Sequence, residues 1–375
     1  MQLSSHLKKI LILSHKGDYH AAAVSWALAH LDIEATIWCL ADLPDYGTIS
    51  ILFEDGGVRT TLTNRSLQIA LDDFGFVWNR RIEKPAAPPA SHPDDIDVIE
   101  KQNLHFINAF RGTASIAIPT TNPVIFQDQA NFKSVQLEKA LEAGLNVKPT
   151  IISNNFDDVV LFQRRHGAVI HKPLKFHGWR EEGRVFGAYT AATPGLTEED
   201  RFSVEAVPLI YQTLVDAAYE VRLVCFGDHF VACGFKDRSG DRNVDLRKSL
   251  HEHAVEYFDV EVPEGTLANC RKYMRSMGLS YGAFDFLIDQ EGAWWFLECN
   301  ESGQFLYLEA VRPQVPALRT FCFWISEVIG AAIDRTDPRL AALSITAFED
   351  AGGRDLARKM TEHNKQVNVP LAAQS

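Results

Sequence analysis

The 375-residue chain has no excess of positive charge: 37 lysines and arginines against 49 acids leave a net charge of −12. That argues against a general nucleic-acid binder, although a local basic groove is compatible with it. Cysteine is sparse. The six (Cys39, Cys225, Cys233, Cys270, Cys299 and Cys322) show no CxxC or other metal-type spacing, so they read as buried thiols of a reducing compartment. No GxxxxGK[ST] is present, which excludes a P-loop, and no GxGxxG follows a strand, so the dinucleotide fingerprint is missing too. Long apolar runs are also lacking. The stretch from Phe321 to Ile333 contains Glu327 and is too short to span a bilayer, so it reads as a core helix. The first residues, "MQLSSHLKKILILSHKG", have too short an apolar run for a signal peptide and no small-residue cleavage site. A soluble, cytoplasmic protein with no membrane or nucleic-acid partner is expected. There is no internal repeat.

What is present points to an α/β start. "KKILILS" is an apolar run of strand length, and Gly17–Asp18 breaks it. "DYHAAAVSWALAHL" then has helical spacing with Asp18 as its cap, and "EATIWCL" is the next strand, which predicts a β-α-β unit. "FGFVWNRRI" is a further strand, ending in Arg80 and Arg81. The proline-rich stretch Glu83–Asp95 is a loop, and helical spacing resumes from Asp95 to Arg111. "TTNPVIFQ" reads as a turn leading to a short strand. "QANFKSVQLEKALEAGLNVKPT" reads as a helix stopped by Gly144. A strand (Thr150 onward), a helix (Phe156 onward) and a strand broken at Pro173 follow. The segment from Pro208 to Lys236 reads as two strands joined at "GDH", and Tyr281 to Asn300 as a second hairpin turning at Asp289–Gly292. Between them, Leu267, Cys270, Met274 and Met277 mark the apolar stripe of a helix. Beyond Arg335 the chain is polar, with one weak helix.

The second hairpin carries the densest chemistry. Strand side chains alternate, so Glu298 and Asn300 share a face, and the turn brings Asp285 within a rung or two of Glu298. Carboxylates flanked by Phe, Leu and Trp are costly to bury unless paired or liganded. Three hard oxygen donors converging with no protein cation between them suit magnesium. The plain alternative is a set of strand-end polar groups bonded to nearby turns. Phosphates would need cations. Lys172 sits in the apolar strand "AVIHKPL". Lys133 lies in the first turn of a helix, where the helix N-terminus would also attract phosphate. Arg222 lies in the strand "YEVRLVCFG" and would suit a γ-phosphate or an acyl phosphate. Against these, Lys133 reads equally as solvent-exposed, and Arg222 as a partner of Glu220.

These pieces stand in an order that resembles the ATP-grasp fold. "VWNRR" (77–81), "QLEKALEAGLNVKPTIISNN" (136–155), "YQTLVDAAYEVRLVCFGDHFVA" (211–232), "VDLRKS" (244–249), "GLSYGAFDFLID" (278–289) and "FLECNESGQFLYLE" (296–309) are similar to microviridin-type graspetide synthetases. Those are ATP-grasp maturases that install ester or amide crosslinks in a ribosomally made precursor peptide. The resemblance covers about residues 8 to 333, and the stretch around Gly303 and Gln304 is its most specific part.

It implies an N-terminal α/β pre-ATP-grasp domain (1–125), a central ATP-grasp subdomain (126–208) and a C-terminal α+β subdomain with antiparallel sheets and the metal site (209–335). A polar tail (336–375) follows. The implied cofactors are ATP and Mg2+, with Asp285, Glu298 and Asn300 on the metal and Lys133 and Lys172 on the phosphates. Gln212, Thr213, Leu214 and Val215 would offer backbone groups to adenine, and Asp216 would reach the ribose. Arg222, with Arg247, would face the transferred phosphoryl group. The partner implied is a precursor peptide, and the assembly a homodimer. Three positions depart from the family pattern: Glu301 where proline is frequent, Phe305 in place of a larger aromatic, and "VDLRKS" in place of Asp-Trp-Arg.

The chemistry implied is conversion of a carboxylate to an acyl phosphate, then attack by a hydroxyl or amine. No convincing general base emerges; His171 and His177 read as structural. The Gly- and charge-rich segment 175–202 would be a flap over ATP, a peptide dock or a plain surface loop. Two rival readings share parts of this evidence: a ligase joining free amino acids or tailoring a small metabolite, and a nucleotide-binding protein without turnover.

Overall fold

The computed structural model describes residues 9–175, 178–181, 184–187, 189–237 and 255–367. The first unit is built as its sequence pattern dictates. Strand β1 (Lys9–Leu13) is apolar and fully enclosed past its first residue, and helix α1 (Tyr19–Ala29) starts where the Asp18 carboxylate accepts from the His20 N–H at 2.9 Å. Strand β2 (Glu34–Trp38) pairs parallel with β1. Next comes a small antiparallel sheet that the sequence analysis does not anticipate: β3 (Gly47–Glu54), β4 (Gly57–Asn64) and β5 (Gln68–Ala70). Its hairpin turns at Asp55 and Gly56, both at positive φ (52° and 73°), the conformation that suits a two-residue turn to right-twisted strands. Strand β6 (Phe76–Asn79) then lies parallel to β1 on the side away from β2.

The long helix α2 (Ile96–Ala117) covers this unit with Ile107, Phe110 and Ala114. Where the pattern suggests a strand after Pro123, the chain forms helix α3 (Val124–Ala130). Seven residues are too few to show a helical period, and Pro123, with no N–H to satisfy, is well placed just before a first turn. Helix α4 (Lys133–Ala143) ends at Gly144, whose φ of 91° terminates it. Strand β7 (Thr150–Ser153), helix α5 (Phe156–His166) and strand β8 (Val169–Pro173) follow, then the pair β9 (Gly178–Glu181) and β10 (Arg184–Gly187), β11 (Ala191–Ala192) and helix α6 (Arg201–Ala206). Strands β9 and β10, an antiparallel hairpin, make up part of the stretch read as flap, dock or loop.

The segment from Pro208 to Lys236 makes three strands, not two. Strand β12 (Leu209–Thr213) leaves the expected hairpin and sits between β8 and β7 in a four-stranded sheet ordered β11-β8-β12-β7. Strands β13 (Ala217–Phe226), β14 (His229–Asp237), β15 (Val255–Phe258), β16 (Tyr281–Asp289) and β17 (Trp294–Asn300) form the main sheet, ordered β15-β14-β13-β16-β17, with helix α7 (Glu264–Ser276) against it. One face of this sheet carries Leu223, Phe284, Phe286 and Phe296, packed on α4 and α7 through Ala140 and Tyr273. The other carries Val224, Phe226, Tyr281 and Ala283, which join β1, β6 and α1 in a single core.

Helices α8 (Leu306–Val311) and α9 (Ala317–Val328) close that core with Leu306, Phe321 and Trp324. The stretch expected as a polar tail is more structured. Helices α10 (Pro338–Ala341), α11 (Ile345–Asp350) and α12 (Gly353–Val367) follow, and Leu340, Leu343, Ile345 and Phe348 enter the same core, with Phe348 edge-on to Tyr19 at 5.4 Å. Buried Glu309 fastens this region by accepting from the Leu318 and Ile345 N–H groups, each at 2.8 Å. All six cysteines are buried and free. Among the described residues, no helix is long and apolar enough to cross a membrane.

Candidate active site

The site grows from the register of β13, β16 and β17. Arg222 pairs with Asp285, and Asp285 with Glu298, so three functional side chains stand on successive strands at one level. Arg222 continues the row Val224–Phe226, and Asp285 the row Tyr281–Ala283, on the face that meets β1 and β6. Glu298 arrives there by a different route. Trp294 and Phe296 point to the opposite face, into the α4–α7 core, and simple alternation would send Glu298 after them. The register slips at this point: Asp285 faces Glu298 while the adjacent Phe286 faces Phe296, leaving Leu297 as an extra residue. This bulge turns Glu298 and Asn300 onto the Asp285 side while Cys299 enters the α4–α7 core. A core strand therefore ends in a carboxylate and an amide without burying either in hydrocarbon.

The charges are not arranged as expected. Cations do stand among the oxygen donors: Arg222 Nη1 lies 3.0 Å from Asp285, and Lys133 Nζ donates to Glu298 Oε2 at 2.5 Å. Carboxylates on adjacent strands repel each other, and the nearest cations neutralise them. Asn300 Nδ2 donates to Glu298 Oε1 at 3.1 Å and reaches Asp285 Oδ2 at 3.4 Å. Burial alone would raise the Glu298 pKa, but the Lys133 charge and hydrogen bond, the Asn300 contact and the Lys172 charge hold it well below the usual carboxylate range. Burial would likewise weaken Arg222 as a cation; Asp285, helped by Tyr307, reverses this and raises its pKa. Arg222 Nε also donates to the Tyr307 hydroxyl at 3.2 Å.

Among the described residues, no group of three or more His, Cys, Asp or Glu side chains is arranged to hold a metal. The donor set here is two carboxylates and an amide. Its hard oxygens, shared by two strands and flanked by cations, fit a magnesium ion that keeps phosphate oxygens in its remaining positions.

The other expected residues fall around this centre. Lys133 is the first residue of α4, placed as its sequence position suggested. Lys172 on β8 points at Gln212 Oε1, 3.4 Å away, and Gln212 in turn donates to Thr150 Oγ1 at 2.8 Å. Gln212 and Thr213 end β12, while Leu214, Val215 and Asp216 link the four-stranded sheet to β13 of the main sheet. The backbone of Gln212 lies within ladders on both sides, the Thr213 N–H is taken by Pro149 O at 3.0 Å, and the Leu214 N–H by Ala168 O at 2.9 Å. His171 is half-buried, with its pKa lowered by burial and Nδ1 3.2 Å from Thr193 Oγ1. Arg247 and His177 lie outside the described residues.

Sequence patterns did not reveal the residues that hold the parts together. Gln136 donates to Cys299 O and accepts from Cys299 N, each at 3.1 Å, locking α4, and with it Lys133, onto β17. Asn122 donates to Tyr281 O at 2.7 Å and Glu301 O at 2.6 Å, and accepts from the Ser280 and Tyr281 N–H groups. Arg80 is buried between Asp18 (3.3 Å) and the carbonyl of Ser302 (2.8 Å). Each makes a contact to a residue far away in the chain, 163 positions for Gln136, 159 for Asn122 and 222 for Arg80, so no local signal marks it; only the polar character of "WNRR" in an apolar strand hinted at Arg80.

No protein-family model matches the chain, and no curated protein is significantly similar to it. Solved structures are similar. A RiPP-associated ATP-grasp ligase of Chryseobacterium gregarium, in complex with ADP and a leader and core peptide, superposes with a TM-score of 0.80 at 20% identity over 87% of this chain and 98% of that one. The macrocyclase MdnC of Microcystis aeruginosa MRC, bound to precursor peptide MdnA, gives 0.72 at 21% identity over 86% of this chain and 100% of that one. The macrocyclase MdnB of the same organism gives 0.68 at 21% identity over 87% and 99%. The chain therefore has the fold of the ATP-grasp ligases.

Proposed function

We propose that this chain is an ATP-dependent, ADP-forming carboxylate ligase. It would activate side-chain carboxylates of a ribosomally made precursor peptide as acyl phosphates and close ester or amide crosslinks. The observation that carries the reading is the level of Asp285, Glu298 and Arg222 across three adjacent strands, with Lys133 and Asn300 in contact, in a fold shared over 87% of this chain with a ligase solved in complex with ADP and a leader and core peptide. A magnesium ion held by Asp285, Glu298 and Asn300 would draw charge from the terminal phosphates of ATP.

The chain's own groups then take these parts. Lys133 turns from Glu298 to a phosphate oxygen, Lys172 supplies a second cation, and the linker after β12 receives adenine. With the earlier N–H groups taken, the Leu214 carbonyl and the Val215 N–H are the backbone pair that reads the base, and Asp216 is the ribose contact. Arg222, held by Asp285 and Tyr307, neutralises the phosphoryl oxygens as the substrate carboxylate attacks the γ-phosphorus and ADP leaves. A hydroxyl or amine of the same peptide then attacks the acyl carbon and releases phosphate. Arg247 would join Arg222, and the protein would act in the cytoplasm, as a homodimer. Divisions near residues 125, 208 and 335 would separate the N-terminal unit, the two ATP-grasp halves and the last helices.

Mass spectrometry of a precursor peptide encoded beside this chain's gene, incubated with the protein, ATP and magnesium, tests the reading. Loss of one water per crosslink with matching ADP release is expected. An unaltered peptide, together with ADP release that depends on added free amino acids, would instead establish a small-molecule ligase.

A further inference from the structure

Arg222 Nη1 is taken by Asp285 at 3.0 Å, and Arg222 Nε donates to the Tyr307 hydroxyl at 3.2 Å. A guanidinium has five N–H groups and no acceptor, so the Tyr307 oxygen accepts in that contact. The single proton of the phenol therefore points away from Arg222. Among the described residues it finds no acceptor, because the Tyr307 side chain makes no other hydrogen bond. Arg222 Nη2 has no partner among them either. It is not one of the buried nitrogens without a partner, so it reaches solvent.

Covalent geometry makes these two free donors neighbours. The Nε–H and one Nη2–H lie parallel on one edge of the planar guanidinium. An oxygen accepting from Nη2 thus stands beside the Tyr307 oxygen, close enough for the phenol to donate to it as well. Arg222 stands in the row with Asp285 and Glu298, so this edge adjoins the proposed reaction centre. Tyr307 is the second residue of α8, and its ring packs against the core that β1, β6 and α9 share, which fixes the place of the hydroxyl. Burial pushes the Tyr307 pKa up against the Arg222 charge and hydrogen bond, so the phenol keeps its proton.

We propose that Tyr307 is a catalytic residue of the crosslinking step: its O–H, beside Arg222 Nη2, donates to the oxyanion that forms when the hydroxyl or amine attacks the acyl carbon. This rests on the ligase reading above and adds a group to its second half-reaction. The step balances. The nucleophile's lone pair forms the bond to the acyl carbon, and the carbonyl π pair moves onto oxygen. Collapse restores the carbonyl and breaks the bond from carbon to the phosphate oxygen, and phosphate leaves with that pair. The proton shed by a hydroxyl or a neutral amine ends on the released phosphate, and Tyr307 keeps its own. The first half-reaction has less need of the phenol. Phosphoryl oxygens are charged before transfer and meet the full cations Lys133, Lys172 and Arg222. The acyl oxygen is neutral until attack, and donors already in place act most strongly on charge that develops.

The test uses the precursor peptide encoded beside this chain's gene. ADP release and loss of water are counted on the same samples, and hydroxylamine added in parallel traps acyl phosphate as a hydroxamate. The wild type should release one ADP per water lost. In Tyr307→Phe crosslinking should slow by about 10²-fold and ADP release by far less, so that several ADP appear per crosslink and hydroxamate replaces dehydrated product. A Tyr307→Phe protein that still forms one crosslink per ADP, whatever its rate, overturns the donor role and leaves the ligase reading standing. Phenylalanine also takes the acceptor from Arg222 Nε, so 3-fluorotyrosine at position 307, a better donor and a poorer acceptor, is the companion variant. Its ratio of crosslink to hydroxamate should exceed that of the wild type; an equal or lower ratio overturns the donor role as well. A wild type that dehydrates no peptide and yields no hydroxamate overturns both readings.

Discussion

Glu298→Gln keeps the shape of the side chain and removes its charge. In the structure that charge is opposed by Lys133 Nζ at 2.5 Å, and the other carboxylate oxygen accepts from Asn300 at 3.1 Å. The two members of the ion pair are 34% and 21% exposed, so solvent screens it, and its contribution to stability is discounted to about 1 kcal/mol or less. A melting-temperature loss below about 3 °C follows for a chain of this size. Catalysis should respond far more. Removing one group aimed at developing transition-state charge costs about 10²–10³ in kcat, or roughly 3–4 kcal/mol.

The variant has a further signature. Lys133, released from Glu298, is free to meet phosphate, so nucleotide binding without magnesium should hold or tighten, while the gain on adding magnesium disappears. Calorimetric titration with ADP, with and without metal, and coupled ADP release over a magnesium series measure these separately. Turnover within about threefold of wild type at saturating magnesium would refute the metal assignment. A melting loss above about 10 °C would make Glu298 a structural residue instead.

Other perturbations separate the remaining roles. On the role proposed for its guanidinium at the transferring phosphoryl group, Arg222→Ala should lower kcat by about 10² or more while leaving ATP affinity within a few-fold; equal losses in both, measured by titration and turnover, would contradict this. His20 accepts from the Phe305 and Leu306 N–H groups through Nε2 (3.4 and 3.2 Å), and burial, then the Arg80 charge, lower its pKa well below 6.5 despite Asp18. The native state thus keeps His20 neutral where the unfolded chain binds a proton. Stability is full above about pH 6.5 and falls as pH drops, by up to about 1.4 kcal/mol per unit. His20→Gln should make the decline between about pH 6.5 and 4.5 shallower in denaturant melts; an unchanged slope would contradict a buried, neutral His20, because the lowered Asp18 carboxyl acts only below that window. Gly303→Ala would place a Cβ 2.6 Å from Ala283 Cβ and 3.2 Å from Asn300 Cβ, shifting the loop after Asn300 at a cost of about 1–3 kcal/mol. Its turnover should fall more than its thermal stability suggests, and parallel melts and assays would show whether it does.

How far the sequence revealed this structure depended on the range of the interactions. Local signals carried the β1-α1-β2 unit, the Asp18 cap, the Gly144 stop and the β16–β17 hairpin, since each is decided within a dozen residues. The Asp55-Gly56 turn was as legible as these but went unread, and the β3-β4-β5 sheet with it. Helix α3 was too short for periodicity to show. The last three helices looked polar because only a few of their side chains, Leu340, Leu343, Ile345 and Phe348 among them, meet the core.

At the site, alternation correctly put Glu298 and Asn300 together. It could not show that the slip at Leu297 turns them toward Asp285, because a bulge depends on the partner strand. Nor could it show that Lys133 and Arg222 occupy the carboxylates, since those contacts join positions 165 and 63 residues apart.

The central claim is that Asp285, Glu298 and Asn300 hold the divalent ion that carries the nucleotide's terminal phosphates. Anomalous scattering from a crystal grown with Mn2+ and a non-hydrolysable ATP analogue tests it most directly. The account predicts a manganese peak about 2.0–2.3 Å from oxygens of all three side chains, with Lys133 swung onto phosphate. A metal peak elsewhere, with the Lys133–Glu298 and Arg222–Asp285 pairs intact beside the bound nucleotide, would contradict it.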